Sequence, residues 1–156
     1  MIVTVQKITF SISFLLLVLL IIPSGMAQNT DRTYSRQDSL RGSITPEREW
    51  WDLVYYHLDI EVKPKQKSIE GSNTIYYKVV KPGKVMQIDL QQPMKIQGFF
   101  QNGKELDFIK EGNAYFVTLV EHQKEGDLHF LEVSYSGTPR ISPNPPWTGG
   151  LTWEED

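Results

Sequence analysis

The sequence contains no cysteine. Disulfide staples, thiolate metal sites, a cysteine nucleophile and a thioether-linked lipid are all excluded, so the fold rests on packing and hydrogen bonding. Histidine is nearly as scarce, with His57, His122 and His129 the only three. Positive charge is in no surplus: 16 Lys and Arg against 19 Asp and Glu leave a formal net charge of -3. That balance argues against a nucleic-acid partner, which needs a basic stripe to neutralise phosphates. The chain has no H-E-x-x-H, no G-x-S-x-G elbow, no phosphate-cradling glycine loop and no nucleotide fingerprint. After the N-terminal segment no stretch has convincing helical periodicity. What remains is 156 residues, 40% hydrophobic and 12% aromatic, the size and composition of one globular domain.

Met1 to Ala27 reads as a secretory signal peptide. Lys7 supplies the positive n-region, Ile8 to Ile22 is an uncharged apolar run, and Gly25-Met26-Ala27 offers small residues for cleavage. The run is about 15 residues, short of the roughly 20 that span a bilayer core. Cleavage is therefore preferred to a retained anchor, the membrane being met only during export. The mature chain is expected in the periplasm or outside the cell. Residues 28–45 are polar and aperiodic, with Arg32, Arg36 and Arg41 among them. They cannot bury enough apolar surface to offset ordering entropy, and the expectation is a flexible, disordered linker. The domain proper is placed at residues 46–156.

Within it, Trp50 to Val62 (WWDLVYYHLDIEV) is the strongest element. Val54, Tyr56, Leu58, Ile60 and Val62 share one parity, and the other parity turns polar through His57, Asp59 and Glu61. That is the pattern of a half-buried strand, uninterrupted by Gly or Pro, and it is expected to template the strands that follow. Ser68 to Val80 alternates too, with Ile69, Ile75, Tyr77 and Val79 on a face shared by Gly71 and Asn73. Gly71 marks a bulge or a close backbone approach. After the Lys81-Pro82-Gly83 turn, Met86, Ile88 and Leu90 are expected inward, and Pro93 breaks the ladder. Met94 to Gln101 and Lys104 to Lys110 flank Asn102-Gly103, a type I′ hairpin signal. Tyr115, Val117 and Leu119 define the next inward set, and Leu131, Val133 and Tyr135 the last. His129 is read as turned away from that last face. About seven short strands predict an all-β antiparallel sandwich or saddle-like sheet, preceded by a signal-peptide helix and the linker. Gly137 to Asp156 is rich in proline, with Gly149-Gly150 allowing a sharp turn.

No set of residues here makes a catalytic or metal constellation. The three histidines read as solvated or hydrogen-bonded, and His122 with Glu125 lacks the helix a zinc motif needs. Asp59, Glu61 and Glu70 approach one another across neighbouring strands, but paired carboxylates matter to catalysis only inside a cleft. Catalytic, cofactor-binding and metal residues are each expected to be absent. The aromatic residues are the better candidates: Trp50, Trp51, Tyr55, Trp147 and Trp153 are read as facing a neighbouring domain or a ligand.

The order of these pieces resembles a known family. Trp51 to Val62, Pro64 and Ile69-Glu70-Gly71 resemble the opening strands of the aminopeptidase N family, gluzincin zinc metallopeptidases. Ile88-Asp89-Leu90, Met94-Lys95-Ile96, Asn102-Gly103-Lys104 and Leu131 to Gly137 are similar to later pieces. Pro146 to Trp153 looks like a segment of secreted bacterial members. The resemblance spans Pro46 to Asp156. It implies a non-catalytic N-terminal β-domain, incomplete at its C-terminus, whose partner is the catalytic domain of the same parent protein. It also implies that zinc belongs to that catalytic domain; none of the zinc or catalytic motifs occurs in this chain, and no such role transfers to any residue. This chain is therefore not expected to be an enzyme. Unpaired strand edges in such a fragment would promote self-association. The alternative is a free-standing exported β-sandwich that binds carbohydrate or protein through its aromatic face.

Overall fold

The computed structural model describes residues 33–154. The expected signal peptide and residues 28–32 of the expected linker lie outside that range, as do the last two residues. Eight strands are present among the described residues: β1 (Trp51–Lys63), β2 (Ser68–Val79), β3 (Gly83–Asp89), β4 (Lys95–Gln101), β5 (Lys104–Glu105), β6 (Phe108–Glu111), β7 (Ala114–Gln123) and β8 (Leu128–Gly137). They form two antiparallel sheets, one of five strands in the order β1-β2-β8-β4-β5 and one of three in the order β3-β7-β6. The all-β sandwich expected from the alternation is the architecture found.

The turns follow the local chemistry. Asn102 and Gly103 both take positive φ, 53° and 75°, the requirement of a two-residue I′ hairpin. Glu111 pairs with Ala114 across Gly112-Asn113, and Gly112 supplies a φ of 63°. Gly71 resolves as a close approach, not a bulge. It stays in register opposite Ile60, and a Cβ there would stand 3.1 Å from the Ile60 Cα and deep inside the Asp59 carbonyl oxygen.

The core lies between the sheets where the inward parities meet. Ile75, Tyr77 and Val79 of β2, Leu131 and Val133 of β8 and Phe99 of β4 face Met86, Tyr115, Val117 and Leu119 of the smaller sheet. The segment expected as one strand over Lys104 to Lys110 is split. Lys104–Glu105 pairs with β4, and Phe108–Glu111 pairs with β7 in the other sheet. Between them the Leu106 N–H donates to the Phe99 carbonyl at 2.9 Å, and the Asp107 carbonyl accepts from the Thr118 N–H at 2.9 Å. Buried Leu106 thus anchors the point where the chain changes layers.

The expected linker is corrected over its second half. Arg36–Gly42 forms a short helix, α1. Its first turn is closed by a capping box in which the Ser35 side chain accepts from the Asp38 N–H and the Asp38 carboxylate accepts from the Ser35 N–H. Leu40 is buried, and Arg36 makes a two-pronged ion pair with Glu111 at 2.7 and 3.0 Å. One apolar residue and a few directed bonds suffice here because the helix docks on an existing sheet, where no new core has to be built. Gln87 completes the dock: its buried side chain donates to the Leu40 carbonyl (3.1 Å) and to Asp89 (3.0 Å) and accepts from Thr45 (2.8 Å).

A second correction concerns β1. It was expected to be half-buried and to template the strands that follow, yet it is an edge strand, bonded to β2 alone among the described residues and exposed along nearly its whole length. Between Leu53 and Tyr55 the register slips by one residue, so Val54 is the extra residue of a bulge. Below that bulge the inner-face pairs are Tyr56 with Ile75, Leu58 with Asn73, Ile60 with Gly71 and Val62 with Ile69. From Tyr56 to Val62 the alternation is as expected, whereas the bulge switches parity above it, so Leu53 stands opposite inward-facing Tyr77 and Val54 is left unpaired; among the described residues the row stays half exposed.

A candidate interaction surface

The histidines are scattered. His57 sits on the outer face of β1 opposite Thr74. His129 pairs with Tyr77 in register, and its ring lies 6.0 Å from the Tyr77 ring. It therefore belongs to the face of Leu131 and Val133, from which it was expected to turn away; 129, 131 and 133 share parity. Among the described residues no three His, Asp or Glu side chains converge as a metal site, so the residues present do not fit a zinc ion. Glu61 and Glu70 are direct cross-strand neighbours, and Lys63 lies between them, bonded to Glu70 and 3.8 Å from Glu61. That hydrogen bond and its charge hold the Glu70 carboxyl below its ordinary range and raise the Lys63 ammonium. The group is a surface ion cluster, with none of the enclosure that acid–base chemistry requires.

A buried polar network runs along the core side through Tyr77, Gln101 and Gln123. The Tyr77 hydroxyl accepts from the Gln101 amide at 3.1 Å and donates to the Gln123 carbonyl oxygen at 3.2 Å. Burial pushes the Tyr77 phenol up to about 12. A cleft of about 340 Å³ beside α1 is lined by Leu40, Asp89, Asn113 and the pair Asp38 and Arg41, which are joined to each other at 3.2 Å. Neither place presents a nucleophile with a base.

The five aromatic candidates divide. Trp50, expected at a ligand or domain face, is instead a core residue, 3% exposed. Its indole N–H donates to the Val85 carbonyl at 2.7 Å, and its ring stands edge-on to Tyr77 at 5.9 Å. It sits ahead of β1, where the chain leads from α1 beneath β3, and so escapes the strand's in-out alternation. Trp51 is half-buried, bonded to the Glu47 carbonyl and 6.0 Å from the same Tyr77 ring. Tyr55 lies on the outer face, stacked on Tyr76 at 4.2 Å with planes 11° apart. Trp147 is 82% exposed in the proline-rich loop. Trp153 is half-buried, and its indole N–H has no hydrogen-bond partner among the described residues.

What the structure leaves open is the inner face of β1. Tyr56, Leu58, Ile60 and Val62 form an apolar row, each about half exposed. The smaller sheet covers β2, β8 and β4 and stops short of it. Beside the row, Asn73 carries a buried carbonyl oxygen with no partner among the described residues. Burying the remaining half of four such side chains is worth roughly 3–6 kcal/mol before the cost of association. The candidate surface is thus an apolar row on an edge strand of a β-sandwich, half exposed among the described residues.

No protein-family model matches the sequence, and no curated protein does. Solved structures match it well. An M1 zinc metallopeptidase from Deinococcus radiodurans superimposes with a TM-score of 0.56 at 22% identity, over 70% of this chain and 25% of that one. A variant from the same organism bound to a Tyr-Ser-Ala substrate gives 0.55 at 23% identity, over 64% and 23%. A two-domain M1 enzyme bound to L-tryptophan gives 0.54 at 22%, over 64% and 23%. The match falls on the N-terminal domain of these enzymes, the fold that the sequence resemblance implied. At such identity the likeness establishes the fold alone. The chain spans about a quarter of the length of the structures it matches.

Proposed function

We propose that this chain is the non-catalytic N-terminal β-domain of an exported zinc-dependent aminopeptidase, packing on a catalytic domain and helping to enclose a peptide-binding cleft. The observation that carries the reading is the superposition on the N-terminal domain of M1 zinc metallopeptidases. The apolar row on β1 and the Trp153 N–H, uncovered and unpartnered among the described residues, support it, since both are features of a surface that a neighbour would complete. Zinc in this reading belongs to the catalytic domain, and export to the N-terminal segment read as a signal. The test is to read the gene downstream of Asp156 and to purify the product from its own cell. An open frame carrying H-E-x-x-H, and co-purification of the two parts, is the expected result. A stop codon at this point with no separate catalytic partner in the purified material would sink it.

The alternative of a free-standing carbohydrate-binding module draws on Trp147, the one strongly exposed indole among the described residues. The aromatic row on the outer face opposes it. Tyr55 and Tyr76 stack on each other, with Phe130 next in line at 5.8 Å. Cross-strand rings stacked in this way present their edges outward, whereas a sugar stacks on a ring face.

A further inference from the structure

We infer that the outward edge of β1 is a pairing site for a second copy of this chain, the two β1 strands running antiparallel about a two-fold axis at Leu58. The inference stands apart from the peptidase reading and rests on the strand itself. β1 has thirteen residues, no Gly or Pro, and no bonding partner on its outward side among the described residues. Edge strands ordinarily avoid association by shortness, proline, inward charge or a bulge. β1 has a bulge at its start, between Leu53 and Tyr55, and charges confined to its outer face, Asp59, Glu61 and Lys63. From Tyr55 to Lys63 it is regular, and its inner face there carries no charge.

Identical strands can pair only in registers symmetric about one residue, and the side chains select among them. Centring on Asp59 sets two Asp59 carboxylates opposite each other. Centring on Ile60 opposes Asp59 and Glu61. Centring on His57 opposes two imidazoles and draws the bulge into the ladder. Centring on Leu58 places the His57 imidazole opposite the Asp59 carboxylate of the second copy, twice by symmetry. On the inner face it sets Leu58 on Leu58 and Tyr56 on Ile60, favourable cross-strand pairs. All these pairs lie within the regular part of the strand. The two five-stranded sheets become one of ten, and the apolar rows join across the seam.

Edge pairing satisfies the outward backbone groups of both strands and sets the half-exposed apolar rows side by side; the affinity comes from that main-chain ladder and the cross-strand pairs. The contact is isologous and closes on itself, so it yields a dimer and not a fibre.

Absence of cysteine makes the register directly testable in the full chain. In the dimer the two Leu58 Cα atoms are about 5 Å apart, within disulfide range. Those of Val62 are about 27 Å apart. Under mild oxidation Leu58→Cys is expected to give a covalent dimer in high yield, and Val62→Cys at least ten-fold less. Non-specific association through the apolar N-terminal segment would not discriminate between them. In sedimentation equilibrium Leu58→Lys, which opposes two ammonium groups at the axis, is expected to weaken the dimer at least ten-fold. Circular dichroism should be unchanged, because Leu58 is exposed. A monomer at high micromolar concentration, or equal cross-linking at the two positions, overturns the proposal.

Discussion

Two isoleucines on the same face of the same hairpin offer a measurement of what lies over β1. Ile75 of β2 is 2% exposed and Ile60 of β1 is 46% exposed. Truncating either to alanine removes the same three carbons. At Ile75 the transfer loss is about 2.4 kcal/mol at ~0.8 kcal/mol per methylene, and the cavity left among Leu131, Tyr77 and Val133 raises the cost to roughly 3–4 kcal/mol. At Ile60 about half of that surface is already wet and water fills the space, so the cost is about 1 kcal/mol. Urea denaturation followed by tryptophan fluorescence, with Trp50 buried beside Tyr77 as reporter, measures both changes. Dilute protein is required, below any dissociation constant for self-pairing. The expected gap is about 2–3 kcal/mol. Equal costs in dilute solution would refute the argument, since Ile60 would then be covered within the single chain. If the cost at Ile60 grows with protein concentration while that at Ile75 does not, the excess reports the β1 seam.

Two further outcomes follow from the geometry. Gly71→Ala forces a Cβ into the Asp59 carbonyl, backbone that cannot step aside. It should destabilise by about 2 kcal/mol or more and loosen the β1–β2 ladder, seen as faster amide exchange from Asp59 to Glu61. Tyr77 sets an alkaline limit. Its phenol is raised by burial from 10.0 to about 12, so the unfolded chain ionises first and binds fewer protons than the folded one. Stability is then full below pH 10 and declines between about pH 10 and 12, by up to ~1.4 kcal/mol per pH unit. Tyr77→Phe should flatten that decline in a pH series of urea melts, and an unchanged slope would contradict the assignment.

The candidate surface was only partly legible in advance. Val54, Tyr56, Leu58, Ile60 and Val62 are expected on one apolar face; the last four share it, and Val54 is the unpaired residue of the bulge. Trp50, grouped with the aromatics expected to face a neighbouring domain or a ligand, precedes β1 and is taken into the core by the Val85 carbonyl and the Tyr77 ring. The capping box Ser35 to Asp38 ahead of Leu40 was a signal present in the sequence and outweighed by polar composition. His129 needed only its parity to be placed.

Alternation, turn chemistry and helix caps depend on residues a few positions apart. The sequence by itself therefore determined the inward sets of β2, β7 and β8, the Asn102-Gly103 hairpin and the all-β class. Which layer a strand joins, and whether anything covers its apolar side, depends on pairing between distant segments. Only the tertiary structure decided that the chain changes sheets at Leu106 and that β1 lies at the rim of a β1-β2-β8-β4-β5 order. Period two says which side chains share a face, and it carries no information about what is opposite.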